Sequence, residues 1–108
     1  MAKIPYNGAL LVYHAKVTLV HRRSDAVAIA ELKVWQVPKC EAFSEGIKYS
    51  LFLVHEATGH VLVGYDNHKP KGHHIHVGGA EHVYVFTKVE ALLGEFWQMV
   101  EERGYLVK

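Results

Sequence analysis

Hydrophobic and polar residues alternate through the first third of the chain, which is the pattern of strands with one buried face. The alternation covers residues 10–22 and again 26–37, and the turn-forming sequence RRSD at 22–25 separates the two runs. Pro38 ends the second run, because proline cannot donate to a sheet ladder. The pattern therefore predicts a long antiparallel hairpin.

A second hairpin is predicted over residues 48–66. The segments KYSLFLVH at 48–55 and HVLVGYD at 60–66 flank a short turn that ends at Gly59, which accepts the positive φ such turns need. Further along, HVYVF at 82–86 predicts a short additional strand.

The C-terminal part predicts one amphipathic helix. Thr87 and Glu90 have the spacing of a capping box that begins a helix, and Gly104 is placed to end it. Apolar residues between them recur at helical spacing, at Val89, Leu92, Leu93, Phe96, Trp97 and Val100. The fold class predicted is α+β: an antiparallel sheet of four to five strands, built on two long hairpins, with the C-terminal helix packed on one face.

Composition fits one globular domain over residues 1–108, with half of the residues hydrophobic and 21% charged. No apolar run reaches the ~20 residues that span a bilayer, and residues 1–8 lack the apolar core of a signal peptide, so we expect a cytoplasmic protein without membrane contact. The lone Cys40 has no partner for a disulfide or a CxxC site. A net charge of +1 does not require a polyanionic ligand, although Arg22, Arg23, Lys69 and Lys71 could gather on one surface.

Candidate chemistry concentrates in the segment YDNHKPKGHHIH at 65–76, which holds four of the nine histidines. His74 and His76 are two residues apart, so their rings share one face in an extended chain. Such a pair can serve as general acid and general base, while Lys71 stabilises a developing anion and Asp66 supports the site. Attack of an RNA 2′-hydroxyl on the neighbouring phosphate needs those roles.

Other interpretations of this segment stay open. His68, His74 and His76 could bind zinc or another divalent ion, although their spacing matches no strict metal signature. A basic, histidine-rich loop could also bind nucleic acid or a partner without catalysis, but no basic stripe interleaved with aromatic residues supports single-strand binding. Much of the segment also suits turns, since Asp66, Asn67 and Gly72 are turn residues. The residues expected to contact substrate are Tyr65, Asn67, His68, Lys69, His73, Arg22 and Arg23.

Several motifs resemble the TumE family of bacterial and archaeal toxins from toxin–antitoxin systems. The resemblance covers about residues 9–101 and is carried by KYSL at 48–51, GYDN at 64–67, KGHHIH at 71–76, VYVF at 83–86 and LLGEFW at 92–97. Members commonly have KGDHxH, so His73 replaces a frequent aspartate, and Ser50 replaces an arginine.

The resemblance implies a growth-inhibiting toxin of a type II system, with a helix-turn-helix antitoxin as its partner. RNA and a second copy of the chain are further candidate partners. By analogy with other small toxins, we predict a metal-independent ribonuclease that uses His74, His76, Lys71 and Asp66 and needs no cofactor. The alternatives are a non-catalytic protein that binds nucleic acid or a partner, and a metal-dependent hydrolase.

Overall fold

The computed structural model describes residues 8–68 and 71–108. Within them, one antiparallel sheet has the strand order β6-β5-β4-β3-β2-β1-β7. The elements are β1 (Leu10–His21), β2 (Val27–Gln36), β3 (Ile47–His55), β4 (Val61–Asp66), β5 (His74–Val77), β6 (Ala80–Val83), helix α1 (Val89–Glu102) and β7 (Tyr105–Val107).

Both predicted hairpins are present. β1 pairs with β2, and β3 pairs with β4, with boundaries within one or two residues of those predicted. Gly59, in the turn between β3 and β4, has φ +77°. The α+β class and the C-terminal helix are likewise confirmed.

The predicted sheet of four to five strands was too small, because the structure has seven. β5 begins within the histidine-rich segment 65–76, where no strand was predicted. β6 covers residues 80–83 rather than 82–86, and β7 follows the helix. These three strands have only three or four residues each, too few to show the alternation that identifies a strand in sequence. Gly104, at φ +88°, turns the chain so that β7 can pair with β1.

The helix begins without the predicted capping box. Its N-cap is Lys88, whose extended backbone precedes Val89, and no side chain caps the helix. The predicted cap at Thr87 is therefore wrong by one position. The apolar periodicity predicted the buried face of the helix correctly, since Leu92, Phe96 and Val100 are its buried residues.

The two faces of the sheet differ. α1 covers one face, where Tyr65 packs edge-on against Phe96 within the hydrophobic core. Because side chains alternate along a strand, the positions of Gly64 and Asp66 face the opposite side of the sheet. We call this side the open face. None of the helices among the described residues has the length and apolar character needed to cross a membrane.

Candidate metal centre

The hairpin of β4 and β5 brings an aspartate and two histidines together on the open face. Asp66 and His74 are direct cross-strand partners, and His76 stands opposite Gly64, one pair further along the ladder. The residues are placed by backbone register alone, since positions two apart on a strand share a face. We call Asp66, His74 and His76 the histidine–aspartate site.

Both imidazoles of this site bring the Nε2 atom close to the Asp66 carboxylate. His74 Nε2 lies 2.9 Å from Asp66 Oδ1, and His76 Nε2 lies 3.7 Å from Asp66 Oδ2. One ligand atom from each residue fits within a group no more than 4.8 Å across. An ion with bonds of about 2.0–2.2 Å holds neighbouring ligand atoms roughly 3–3.5 Å apart, so small side-chain rotations would close the site around a divalent cation.

The second nitrogen of each imidazole faces an acceptor outside the site. His74 Nδ1 donates to the carbonyl oxygen of Gly72 at 2.7 Å, and His76 Nδ1 lies 3.4 Å from Glu81 Oε2. Such contacts are typical of metal-binding histidines, because a proton held on Nδ1 leaves the Nε2 lone pair for the ion. His74 Nε2 and Asp66 Oδ1 are 2.9 Å apart, a separation that a shared proton or a bound cation would stabilise.

Glu81 links the site to the predicted lysine. Its Oε1 accepts a hydrogen bond from Lys71 Nζ at 2.7 Å, and Oε2 lies 3.9 Å from His74 Nε2. The hydrogen bond from Lys71 is the main reason that the pKa of Glu81 lies below its ordinary value. Glu81 is therefore an ionised carboxylate close to His76, and Lys71 contacts Glu81 rather than the two histidines.

The Phe52 ring packs against both Gly64 and His76. A Cβ on Gly64 would lie 2.4 Å from Cε1 of Phe52, so the aromatic ring occupies the space that any other side chain at 64 would need. The Phe52 ring also lies against His76, with ring centroids 6.1 Å apart. Gly64 is thus required for close packing, and that packing limits the positions open to His76.

Two predicted substrate-binding residues have structural partners instead. Asn67 is buried, where its Oδ1 accepts from the backbone N–H of Tyr49 and its Nδ2 donates to the carbonyl of Ile47. Tyr65 donates its hydroxyl to Glu95 on the helix side of the sheet, and burial raises the pKa of this phenol. These contacts keep both side chains away from the open face.

His73, at the position where the family commonly has aspartate, also lies on the helix side. Its Nδ1 is 2.8 Å from the Tyr49 hydroxyl, its Nε2 is 3.2 Å from both carboxylate oxygens of Glu45, and its ring stacks on Phe86 at 5.1 Å. His68 is exposed, and its backbone N–H contacts Asp66. Of the described residues, Asp66 rather than His68 completes the possible metal-ligand set with His74 and His76.

The remaining predicted residues do not join the site in the part of the chain that the structure describes. Arg22 and Arg23 are exposed in the turn between β1 and β2. That turn lies at the opposite end of the strands from Asp66, because Val20 pairs with Val27 there whereas Asp66 pairs with Ser50. Lys69 lies outside the described residues.

Sequence reasoning missed Glu81 and the contact between Phe52 and Gly64. One signal was available, since Asp66 belongs to one predicted strand and His74 and His76 are two apart. A tight hairpin between those segments would have placed all three on one face. Glu81 depends on the pairing of two four-residue strands, β5 and β6, and has no comparable signal.

Comparison with known proteins adds one finding. A family model described as Toxin TumE matches residues 6–104, a span that includes every residue of the histidine–aspartate site and confirms the resemblance seen in the motifs. Searches of curated proteins and of solved structures gave no significant match.

Proposed function

Because the chain belongs to the TumE toxin family, which implies an antitoxin partner, we propose that it is a metal-dependent ribonuclease of a type II toxin–antitoxin system. One observation carries the proposal. Both histidine Nε2 atoms converge on the Asp66 carboxylate, while each Nδ1 faces an acceptor outside the site. That arrangement prepares three ligands for one divalent cation.

The ligand set suits hydrolysis. Three protein ligands leave coordination positions for water and for a phosphate oxygen, as in catalytic rather than structural metal sites. A divalent ion there would lower the pKa of bound water and neutralise the charge that develops on a phosphodiester. Imidazole and carboxylate ligands are compatible with zinc and manganese, so both ions belong in the test.

A metal-free acid–base pair fits the contacts less well. His74 is buried, and its two nitrogens are held by Gly72 and Asp66, which leaves neither free to exchange a proton with substrate. Only His76, with 31% of its side chain exposed, could meet a substrate directly. Lys71 is engaged by Glu81, so it is poorly placed to stabilise a phosphorane between the histidines.

The partners follow from this proposal. An RNA target would place the activity in the cytoplasm, and a helix-turn-helix antitoxin would restrain it until the toxin is released. The ligands of the site come from two adjacent strands of one chain, so its assembly needs no second copy.

The proposal is tested by incubating the purified toxin with cellular RNA, with and without EDTA, and then restoring Zn²⁺ or Mn²⁺. We expect cleavage to stop in EDTA, to return with one of the ions, and to be absent in the His74→Ala/His76→Ala variant. The matched control is His60→Ala, since His60 is exposed in the turn between β3 and β4. Cleavage that persists in EDTA but needs both histidines would favour the metal-free pair. No cleavage by the native protein would favour a non-catalytic toxin.

A further inference from the structure

The open face continues from the histidine–aspartate site across β3, β2 and β1. Two rows of cross-strand partners connect them: Asp66 pairs with Ser50 and Ser50 with Lys33, while Gly64 pairs with Phe52 and Phe52 with Glu31. Lys16 on β1 extends the second row beyond Glu31. Neighbouring strands lie ~4.8 Å apart, so Lys33 is within roughly 10 Å of Asp66 along its row.

A pocket of about 290 Å³ lies on this part of the open face. Its lining combines three apolar side chains, three charged side chains and one hydroxyl: Ile29, Phe52 and Val54; Lys16, Glu31 and Lys33; and Ser50. The volume is at the small end of the range for ligand pockets, roughly 300 Å³, and suits a ligand about the size of one nucleotide.

Phe52 belongs both to this pocket and to the surroundings of the site. Its ring fills the space above Gly64 and lies 6.1 Å from the ring of His76, measured between centroids. A ligand in contact with Phe52 would therefore lie beside the histidine–aspartate site.

We propose that this pocket binds one nucleotide of single-stranded RNA adjacent to the phosphate that is cleaved. The base stacks on Phe52, and the flanking phosphates contact Lys16 and Lys33. An aromatic surface with nearby cations is the usual means of binding single strands, because every base has a stacking face and every linkage carries a negative charge. This assignment rests on the proposed ribonuclease function.

Glu31 gives the pocket a preference among bases. His14 and Lys33 both approach its Oε2, at 2.9 and 3.9 Å, and within the described part of the chain Oε1 accepts no hydrogen bond. The hydrogen bond with His14 keeps the pKa of Glu31 below its ordinary value, so the carboxylate stays an acceptor at neutral pH. Of the four bases, guanine presents two adjacent N–H donors to a carboxylate, whereas uracil presents one.

Binding is tested with the whole chain and fluorescein-labelled 2′-O-methyl RNA hexamers in EDTA. The methyl group removes a 2′-hydroxyl that could attack the phosphate, and EDTA withholds the ion that would activate water. Fluorescence anisotropy gives the affinity of each hexamer. We expect Phe52→Ala to weaken binding by roughly tenfold or more, and Phe52→Tyr to retain it.

Lys16→Gln and Lys33→Gln should each lower the slope of log affinity against log salt by about 0.7, whereas the control Lys88→Gln on the helix side should not. Glu31→Gln should reduce the preference for a guanine-containing hexamer over oligouridine.

The outcomes separate this inference from the ribonuclease proposal. Hexamer binding that depends on Phe52, Lys16 and Lys33 supports the pocket even if cleavage proves independent of metal. Unchanged affinity and salt slope in the two lysine variants overturn the inference, even if cleavage is metal-dependent. If no hexamer binds to the native toxin, the pocket has a different occupant and the inference is also overturned.

Discussion

His73 and His74 are adjacent in sequence but lie on opposite sides of the sheet. His73 contacts the hydroxyl of Tyr49 and stacks on Phe86 against the core, whereas His74 meets the Asp66 carboxylate on the open face. A step of one position along the chain thus separates a structural histidine from a candidate metal ligand, because successive side chains point to opposite faces.

This division predicts opposite phenotypes for two neighbouring alanine variants. His73→Ala should lower the free energy of unfolding by about 1–3 kcal/mol, because it removes the partner of a buried hydroxyl, and leave RNA cleavage per folded molecule nearly unchanged. His74→Ala should reduce cleavage by about 100-fold or more. Urea unfolding and a cleavage assay on the same samples measure both effects. Equal losses of cleavage in the two variants would count against the assignment.

Gly64 and Phe52 should show strong energetic coupling. A methyl group at 64 cannot coexist with the present ring position, so Gly64→Ala should destabilise the fold by about 1–3 kcal/mol and also impair metal binding by displacing Phe52 from His76. In a Phe52→Ala background, Gly64→Ala should lower the free energy of unfolding much less, because the obstructing ring is absent. A double-mutant cycle of unfolding free energies measures the coupling. Additive effects would show that the ring moves aside without cost.

Lys71 and Glu81 distinguish the metal-dependent account from the acid–base account. Lys71 is exposed and contacts Glu81, so Lys71→Ala should reduce cleavage less than about tenfold. If Lys71 stabilised the phosphorane directly, its removal would lower the cleavage rate by about 100- to 1000-fold. Glu81→Gln should weaken metal affinity by about 10- to 100-fold, because it removes the negative charge 3.4 Å from His76 Nδ1. Steady-state cleavage rates and metal titrations compare the two variants.

Buried tyrosines should make the fold sensitive to alkali. Burial is the main reason that the pKa values of Tyr49, Tyr65 and Tyr84 lie above their ordinary value near 10. In the unfolded chain these phenols ionise near pH 10, so their contribution to stability is complete below that pH and is lost as the pH rises above it. Unfolding free energies at pH 9 and pH 11 should therefore differ, and Tyr65→Phe should reduce the difference. Phenol absorbance showing that all six tyrosines ionise near pH 10 while the chain stays folded would contradict this prediction.

The sequence predicted the long elements well and the short ones poorly, for a physical reason. β1 to β4 have enough residues for alternation to identify both strands and faces, whereas β5, β6 and β7 are defined mainly by their neighbours in the sheet. The segment that holds Asp66, His74 and His76 was found from composition. The roles within it were not, because the fixed position of His74 depends on Gly72 and Asp66 together.

The pocket on the open face could not be predicted from the sequence either, because it depends on how the strands pair. A basic stripe with an aromatic residue is absent from the linear sequence, because Lys16, Lys33 and Phe52 belong to three different strands. Only the register of β1, β2 and β3 places them together.

The proposed function requires that Asp66, His74 and His76 bind one divalent cation. Calorimetric titration of the EDTA-treated, dialysed toxin with Zn²⁺ and with Mn²⁺ tests it directly, beside Asp66→Asn and the control His60→Ala. We expect one site per chain in the native toxin and in His60→Ala, and loss of that site in Asp66→Asn. Native protein that binds neither ion, or an Asp66→Asn variant that binds as tightly as the native protein, would contradict it.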